Sequence, residues 1–240
     1  FSMPLIQFLT LRGFAVFVPN VRGSTGYGFD YMSRVVRDWG GADRLDHVHA
    51  MTEVLPKDQR IDTTRAGVVG RSYGGYMTLM CLLTAPDLFR AGIAYAPVTD
   101  WRLYDTIYTE RYMGTPEDNP EGYEASAPLK YAENLQGALL LAHGSMDNNV
   151  HFQNTLQLIG RLAAADKTFD LVVYPDTHHG ISLPYYRKDL HQRYLAWYAG
   201  AASAVQVRAE DGRTLRFPAA ELRPFVSHDG IRGRFEIEFD

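Results

Sequence analysis

The chain has 240 residues, which is enough for one large α/β domain together with a small appendage. Its formal net charge of −4 gives no reason to expect nucleic acid as a partner, and no stretch is long and apolar enough to span a membrane. The single cysteine, Cys81, excludes an internal disulfide bond. We favour a buried core position for Cys81, with a catalytic nucleophile as the alternative.

The first part of the chain predicts one helix and one buried strand. Residues 4–11 have the apolar spacing of a helix that ends at Gly13. Residues 14–19 form a continuous apolar run, which is typical of a strand covered on both faces.

Neither of the next two features predicts a bound cofactor or metal ion. The glycine-rich stretch at residues 20–28 lacks the spacing of a phosphate-binding loop, so we interpret it as a tight loop beside an active site. His47 and His49 are two residues apart and do not share a helix face, which argues against a metal pair. We therefore expect no cofactor and no metal.

A short apolar strand at residues 66–69 runs into Gly-Arg-Ser-Tyr-Gly-Gly at residues 70–75, and a helical run follows. This is the context of a nucleophile elbow, in which a serine occupies a very tight turn between a strand and a helix. The pattern predicts that Gly70 and Gly74 leave room for the turn, and that Gly75 lets the helix approach the sheet. The helix N-terminus would then direct backbone N–H groups at a developing oxyanion.

Further strands are predicted at residues 91–98, 138–144 and 169–175, so strand and helix alternate five times with short connections. This alternation predicts an α/β fold with a mostly parallel sheet and helices on both faces. The composition changes near residue 190, and the Asp-Gly pair at residues 211–212 predicts an antiparallel hairpin. We expect a main domain over residues 1–192 and a small β-rich appendage over residues 193–240.

An aromatic stripe follows the strand at residues 91–98. Trp101, Tyr104, Tyr108 and Tyr112 recur at helical spacing, and such a stripe is usually part of a core. Here it begins at the carboxyl end of a strand, where ligand sites form in α/β proteins. The sequence leaves both alternatives open: a core, or one wall of a substrate pocket.

Three predicted strands each end near a residue suited to acyl transfer, namely Ser72, Asp147 and His179. We expect them to converge, because parallel strands end at the same edge of a sheet. A serine hydroxyl becomes a good nucleophile when a histidine takes its proton and a carboxylate orients that histidine. The backbone N–H of Tyr73 is the expected oxyanion donor. The order Ser, Asp, His is that of the α/β-hydrolases.

With these motifs the chain resembles the prolyl oligopeptidase family of serine peptidases over roughly residues 1–190. The resemblance rests on Gly-Arg-Ser-Tyr-Gly-Gly-Tyr, His-Gly-Ser-Met-Asp-Asn-Asn-Val-His-Phe-Gln and His-His-Gly-Ile. The segment Asp-Thr-Ile-Tyr-Thr-Glu-Arg-Tyr-Met-Gly is similar to the dipeptidyl-peptidase branch. It implies a peptidase catalytic domain of α/β-hydrolase fold with Ser72 as nucleophile, Asp147 as orienting acid and His179 as base. His179 is chosen over His178 because it directly precedes the glycine.

The resemblance also implies a small apolar S1 pocket for the residue before the cleaved bond. Its walls would be Tyr73, Val98, Trp101, Tyr104, Tyr108 and Val150. Asn149 and Arg111 would hold the substrate or neighbouring side chains. A flat aromatic pocket suits a proline ring, whose fixed φ lowers the entropic cost of binding. The implied reaction is release of N-terminal dipeptides after Pro or Ala, through an acyl-enzyme.

The sequence departs from the family's pattern at both ends. The family carries a β-propeller ahead of the hydrolase domain, so we expect one upstream in the full-length protein. The first hydrolase strands, with a tyrosine that completes the oxyanion hole, are expected before Phe1. With that N-terminus expected to be missing, the compartment stays open between cytoplasm and periplasm. From about Tyr194 the tail resembles a small bacterial family of unknown function.

Several alternatives share these features. An oligopeptidase, an acylaminoacyl-peptidase or an esterase of the same family would use the same triad. An inactive fragment or a binding module is the alternative outside enzymes. In all the enzyme hypotheses except the esterase the partner is a peptide substrate, and a homo-oligomer is a further expectation.

Overall fold

The computed structural model describes residues 3–180, 189, 192–193, 204–208 and 214–218. The chain divides into two compact units, Phe1–Leu195 and Ala196–Asp240. The first unit contains the sheet and helices described next, and the second contains a two-stranded ribbon.

The first unit is built on four parallel strands, β1 (Gly67–Arg71), β2 (Ala91–Tyr95), β3 (Ala138–Gly144) and β4 (Asp170–Tyr174). They lie side by side in chain order, β1-β2-β3-β4. Val69 lies opposite Ile93, which in turn lies opposite Leu140. Parallel neighbours need a crossover between them, and each connection here contains a helix. The predicted parallel α/β sheet is confirmed.

Among the described residues, seven α-helices with defined bounds accompany these strands. They are α1 (Met3–Thr10), α2 (Phe29–Met32), α3 (Ala42–His49), α4 (Tyr73–Thr84), α5 (Thr106–Met113), α6 (Pro120–Ala125) and α7 (Gln153–Ala164). Short 3₁₀ segments cover Ser33–Val35, Leu55–Lys57, Thr63–Arg65, Trp101–Leu103 and Pro128–Asn134, and a π-turn covers Ala50–Val54. In the described part of the chain, no helix has the length and apolar character needed to cross a bilayer.

The core lies between the sheet and α4. This helix is apolar all round, as expected of a helix that is buried on every side, and its residues from Gly75 to Leu83 are all buried. It packs against β1 and β2. Leu139 and Leu141 of β3 belong to the same cluster, while Leu140 points to the opposite face and is equally buried. Both faces in the middle of the sheet are therefore covered.

Cys81 lies in this core on α4 and is fully buried. Burial raises the pKa of its thiol to about 12, so the reactive thiolate is strongly disfavoured. The structure confirms the core position and argues against the nucleophile.

The predicted strand at residues 14–19 is wrong in this structure. Phe17 and Val18 are both 48% exposed, and these residues have no regular secondary structure. A strand is held by hydrogen bonds to a neighbouring strand, and none of the described strands pairs with this run. The apolar pattern alone could not show whether a partner would be present.

The second unit contains β5 (Ala204–Arg208) and β6 (Thr214–Pro218), which pair antiparallel. Arg208 lies opposite Thr214, and five residues separate the two strands in the sequence. The predicted hairpin is confirmed in its strands, and the Asp-Gly turn lies outside the described residues.

Candidate active site

Ser72 stands on a sharp turn between β1 and α4. Its backbone has φ 59° and ψ −120°, a conformation that a residue with a side chain rarely adopts. The turn is held in place because the Ser72 N–H donates to the carbonyl oxygen of Tyr95 at 2.9 Å. The elbow is thus fastened to the end of β2, and Ser72 emerges at the carboxyl edge of the sheet.

The glycines around Ser72 do not all have the expected roles. A Cβ on Gly70 would lie 2.1 Å from the backbone oxygen of Gly74, and one on Gly75 would lie 2.8 Å from the backbone oxygen of Tyr95. Both positions therefore exclude a side chain. A Cβ on Gly74 would meet nothing within 4 Å, so the expectation that Gly74 must lack a side chain is wrong. The crowding runs from Gly70 to the backbone of Gly74.

Tyr73 is the first residue of α4, where backbone N–H groups have no partner within the helix. This is the place that an oxyanion donor needs. The Tyr73 phenol donates to Oδ2 of Asp43 on α3 at 2.5 Å, and Asp43 is buried. Burial, with the neighbouring Asp43, raises the pKa of Tyr73 well above its usual value. Sequence reasoning missed Asp43, because no pattern links it to a residue thirty positions away.

The loops after β3 and β4 are tied together, and this brings Asp147 and His179 to one place. The N–H of Met146 donates to the carbonyl of Thr177 at 3.1 Å, and the N–H of Ser145 donates to the carbonyl of Tyr174 at 2.9 Å. A Cβ on Gly144 would lie 2.1 Å from the Thr177 oxygen. Gly144 therefore permits the close approach of the two loops.

Asp147 and His179 form the central hydrogen bond of the site. Nδ1 of His179 lies 2.8 Å from Oδ2 of Asp147, whose side chain is fully buried while that of His179 is 21% exposed. Oδ1 of Asp147 accepts the backbone N–H groups of Asn149 and Val150 at 2.9 and 3.0 Å. A carboxylate with this many donors can hold the imidazole of His179 in one orientation.

The electrostatics keep Asp147 ionised. Burial alone would raise its pKa, but contacts with the side chains of His143 and His179 and the N–H of Asn149 outweigh burial, and the pKa lies well below its usual range. His178 is exposed, so the structure brings His179 rather than His178 to the carboxylate. Asp176 is also exposed and lies outside this contact.

Ser72 and His179 share the sheet edge without a direct bond. Within the described ranges, no hydrogen bond joins the Ser72 hydroxyl to the His179 ring. Catalytic hydrogen bonds are often loose in an unliganded site and shorten when substrate binds. The triad assignment of Ser72, Asp147 and His179 therefore stays a prediction, supported by the Asp147–His179 contact.

His143 is a further buried residue of this site that sequence reasoning did not single out. It lies on β3, and its Nε2 is 2.9 Å from the carbonyl oxygen of Val150 and 3.3 Å from Oδ2 of Asp147. Its Nδ1 is 2.8 Å from the hydroxyl of Thr155 on α7. The motif that contains both His143 and Asp147, four residues apart, was the available signal.

The aromatic stripe becomes both core and pocket wall. Trp101 is buried against Trp39, with ring centroids 4.3 Å apart, and its ring also approaches that of Tyr73. Tyr108 is 42% exposed. The stripe is not one helix, because Asp105 interrupts it and caps α5 by accepting the N–H of Tyr108. Sequence reasoning also missed Trp39, whose ring contacts the rings of Tyr73, Trp101, Tyr108 and Tyr112.

An open cleft of about 500 Å³ lies beside the aromatic stripe. It is lined by residues that include Tyr104, Tyr108, Asn149 and His151. The Tyr104 hydroxyl donates to Oδ1 of Asn149 at 2.7 Å, which joins the stripe to the loop that carries Asp147. The cleft therefore adjoins the loop that carries Asp147, while Ser72, Asp147 and His179 themselves do not line it.

The remaining S1 candidates occupy different environments. Val98, Trp101 and Val150 are buried in the core cluster, and Arg111 is exposed on α5. The S1 pocket stays a prediction. In the described part of the chain, no group of three or more His, Cys, Asp or Glu side chains is arranged to hold a metal ion.

Comparisons with known proteins agree with the motifs. A sequence profile of the prolyl oligopeptidase family matches residues 1–204, and a second profile, described as a protein of unknown function, matches residues 190–240. The chain is 40% identical over 202 residues to "Probable dipeptidyl-aminopeptidase B" of Arthroderma gypseum, over 83% of this chain and 22% of that protein. It is 41% identical over 182 residues to dipeptidyl peptidase 8 of Homo sapiens, over 75% of this chain and 20% of that protein.

A solved structure shows the same likeness. The crystal structure of Porphyromonas gingivalis dipeptidyl peptidase 4 matches with a TM-score of 0.72 and 40% identity, over 75% of this chain and 25% of that chain. Together with the parallel sheet, this match confirms the predicted α/β-hydrolase fold. The chain spans about a fifth to a quarter of the length of these relatives.

Proposed function

Because the chain belongs to the prolyl oligopeptidase family, we propose that it supplies the catalytic domain of a serine peptidase that releases N-terminal dipeptides. The hydrogen bond between His179 and Asp147, at the sheet edge where the Ser72 elbow emerges, carries this proposal. Cleavage after Pro or Ala is part of it. The relatives named dipeptidyl peptidases support this over an oligopeptidase or an acylaminoacyl-peptidase.

The proposed chemistry follows from the positions of the side chains. The Ser72 hydroxyl attacks the substrate carbonyl while Nε2 of His179 takes its proton. Asp147 accepts the Nδ1–H of His179 and stabilises the imidazolium that forms. The Tyr73 N–H donates to the oxyanion. His179 returns the proton to the leaving amine, and water then hydrolyses the acyl-enzyme by the same steps in reverse.

The specificity proposal rests on the aromatic cleft. Tyr104 and Tyr108 present flat rings beside the loop that carries Asp147, and a proline ring buries its apolar faces well against such surfaces. Asn149 supplies a polar amide in the same cleft.

Two further parts of the proposal rest on the family resemblance. One is an upstream β-propeller, and the other is a homo-oligomer. Light scattering coupled to size-exclusion chromatography of the full-length gene product tests the oligomer. A monomer at all concentrations would overturn that part alone.

The proposed activity is tested with a fluorophosphonate probe and three substrates. The substrates are a Gly-Pro chromogenic amide, its N-blocked form and a simple ester. We expect the probe to label Ser72 in the wild type and to leave Ser72→Ala unlabelled. The free Gly-Pro amide should be hydrolysed, and its N-blocked form should be hydrolysed only slightly. His179→Ala should lose nearly all turnover and His178→Ala little, because His179 contacts Asp147 and the exposed His178 does not. Equal use of the blocked amide would favour an oligopeptidase, ester turnover alone an esterase, and absence of labelling an inactive fragment.

A further inference from the structure

The mechanism above gives no role to His143, a buried ionisable side chain beside the candidate triad. His143 is fully buried on β3, beside the carboxylate that orients His179. Burying an imidazole costs free energy unless both of its nitrogens form hydrogen bonds. Both nitrogens of His143 have partners, and the identity of those partners determines which nitrogen carries the proton.

The contacts require a proton on Nε2. This nitrogen faces two acceptors, the carbonyl oxygen of Val150 at 2.9 Å and Oδ2 of Asp147 at 3.3 Å. A carbonyl oxygen cannot donate, so Nε2 must be the donor. In the neutral imidazole, Nδ1 then accepts from the Thr155 hydroxyl at 2.8 Å. The Val150 carbonyl thus selects the tautomer that directs an N–H at the Asp147 loop, and the Thr155 hydroxyl supports that tautomer because it can donate to the unprotonated Nδ1.

The Nε2–H acts on the carboxylate in two ways. Its hydrogen bond to Val150 holds the loop whose backbone N–H groups of Asn149 and Val150 bind Oδ1 of Asp147. Its partial positive charge also faces Oδ2, the oxygen that binds His179. Phe152 stacks edge-on against the His143 ring, with centroids 5.4 Å apart, which restricts rotation of the ring.

We propose that His143 is a positioning residue that, with its tautomer fixed by the Val150 carbonyl and supported by the Thr155 hydroxyl, holds the Asp147 carboxylate in the orientation that His179 needs. This inference rests on the proposed function, since it concerns the same triad. It extends the hydrogen-bonded chain from the sheet edge through β3 to α7. His143 does not touch substrate, so it affects turnover rather than binding.

The test compares variants that keep or remove one donor. His143→Gln places an amide N–H near the position of Nε2, while His143→Leu has similar volume and no donor. Thr155→Val removes the hydroxyl at nearly constant shape, and Thr155→Ser keeps it. For each variant of the full-length gene product, kcat and KM are measured with Gly-Pro chromogenic amide. The concentration of active sites is fixed by fluorophosphonate labelling taken to completion, and thermal melting is recorded.

We expect His143→Leu to lower kcat per labelled site by on the order of 10-fold or more with KM little changed. His143→Gln should recover most of that loss. Thr155→Val should lower kcat several-fold, on the order of one lost hydrogen bond, and Thr155→Ser should resemble the wild type. If His143→Leu does not fold, the comparison of Thr155→Val with Thr155→Ser tests the proposal.

Unchanged kcat per labelled site in His143→Leu, with a lower melting temperature, would mean a merely structural role and would overturn the proposal. Equal kcat in Thr155→Val and Thr155→Ser would do the same. A wild-type protein without peptidase turnover is a different outcome, since it contradicts the proposed function before the variants are compared.

Discussion

At the scale of single residues, the candidate site depends on where a side chain cannot be added. Ser72 occupies a strained backbone conformation, and the neighbouring backbone closes around it so tightly that Gly70 and Gly75 have no room for a Cβ. Strain of this kind persists only where surrounding contacts hold it, here the bond from Ser72 N–H to Tyr95.

Gly70→Ala should damage the elbow, because its Cβ would lie 2.1 Å from a backbone oxygen that cannot rotate away. We expect the free energy of unfolding to fall by about 1–3 kcal/mol and fluorophosphonate labelling of Ser72 to slow strongly. The matched control is Gly74→Ala, whose Cβ meets open space and which improves helix propensity by about 1 kcal/mol. Denaturant unfolding of both variants checks this. Equal loss of stability in the two would show that the crowding at Gly70 is relieved by a small shift.

At the scale of elements, the aromatic stripe after β2 has both buried and exposed members. The 3₁₀ segment Trp101–Leu103 sends Trp101 into the core, and α5 carries Tyr108 to the surface. The helical spacing of the aromatic residues could not separate these roles, because the break at Asp105 arises from a side-chain cap. Tyr104 lies between the two and reaches Asn149 across the cleft.

Trp101→Ala and Tyr104→Ala should therefore have different effects. Trp101→Ala should lower the free energy of unfolding by about 3–5 kcal/mol, since it removes a large buried side chain. Tyr104→Ala should raise KM for Gly-Pro chromogenic amide roughly 10-fold with a much smaller stability loss. Tyr104→Phe, which removes only the bond to Asn149, serves as the milder control. Tyr104→Ala with a large stability loss and an unchanged KM would place Tyr104 in the core instead.

At the scale of the whole molecule, each of the two units is held together by its own contacts. The loops after β3 and β4 meet through backbone hydrogen bonds and the Asp147–His179 contact. The second unit is held by pairing of β5 with β6. Each of these features leads to a measurable expectation for the complete chain.

Asp147 should make the folded chain sensitive to acid. Its folded pKa lies well below the ordinary carboxyl value of 3.8, so the unfolded chain binds the proton more readily. The stability that Asp147 contributes is fully present above about pH 4 and is lost as pH falls toward the folded pKa. Urea unfolding is measured between about pH 6 and about pH 3, where carboxyl groups titrate. As the pH falls, the free energy of unfolding should decline more steeply in the wild type than in Asp147→Asn. Asp176→Asn, which changes an exposed carboxyl group, should behave like the wild type.

We propose that the appendage over residues 193–240 is dispensable for the candidate site. Its two described strands pair with each other, and a separate family profile covers this region. A variant that lacks residues 204–240 should label at Ser72 at the wild-type rate and melt at a similar temperature. Loss of labelling in that variant would mean that the boundary is misplaced.

Much of the fold and the site could be predicted from the order of residues. The alternation of apolar runs and helical segments predicted the parallel sheet, and the spacing around Ser72 predicted the elbow. Such patterns are local: a tight turn, a buried strand or a cap restricts residues within a few positions of one another. The motifs around Ser72, Asp147 and His179 were therefore readable, and they led to the family.

Other features depended on contacts between distant segments. Asp43 meets Tyr73, Trp39 meets Trp101, and the Thr155 hydroxyl meets His143, and no spacing in the chain encodes these pairs. The run at residues 14–19 has the composition of a strand, yet no described strand pairs with it. Strand pairing, burial and tautomer selection are properties of a residue's neighbours in space, so they became visible only when the chain was folded.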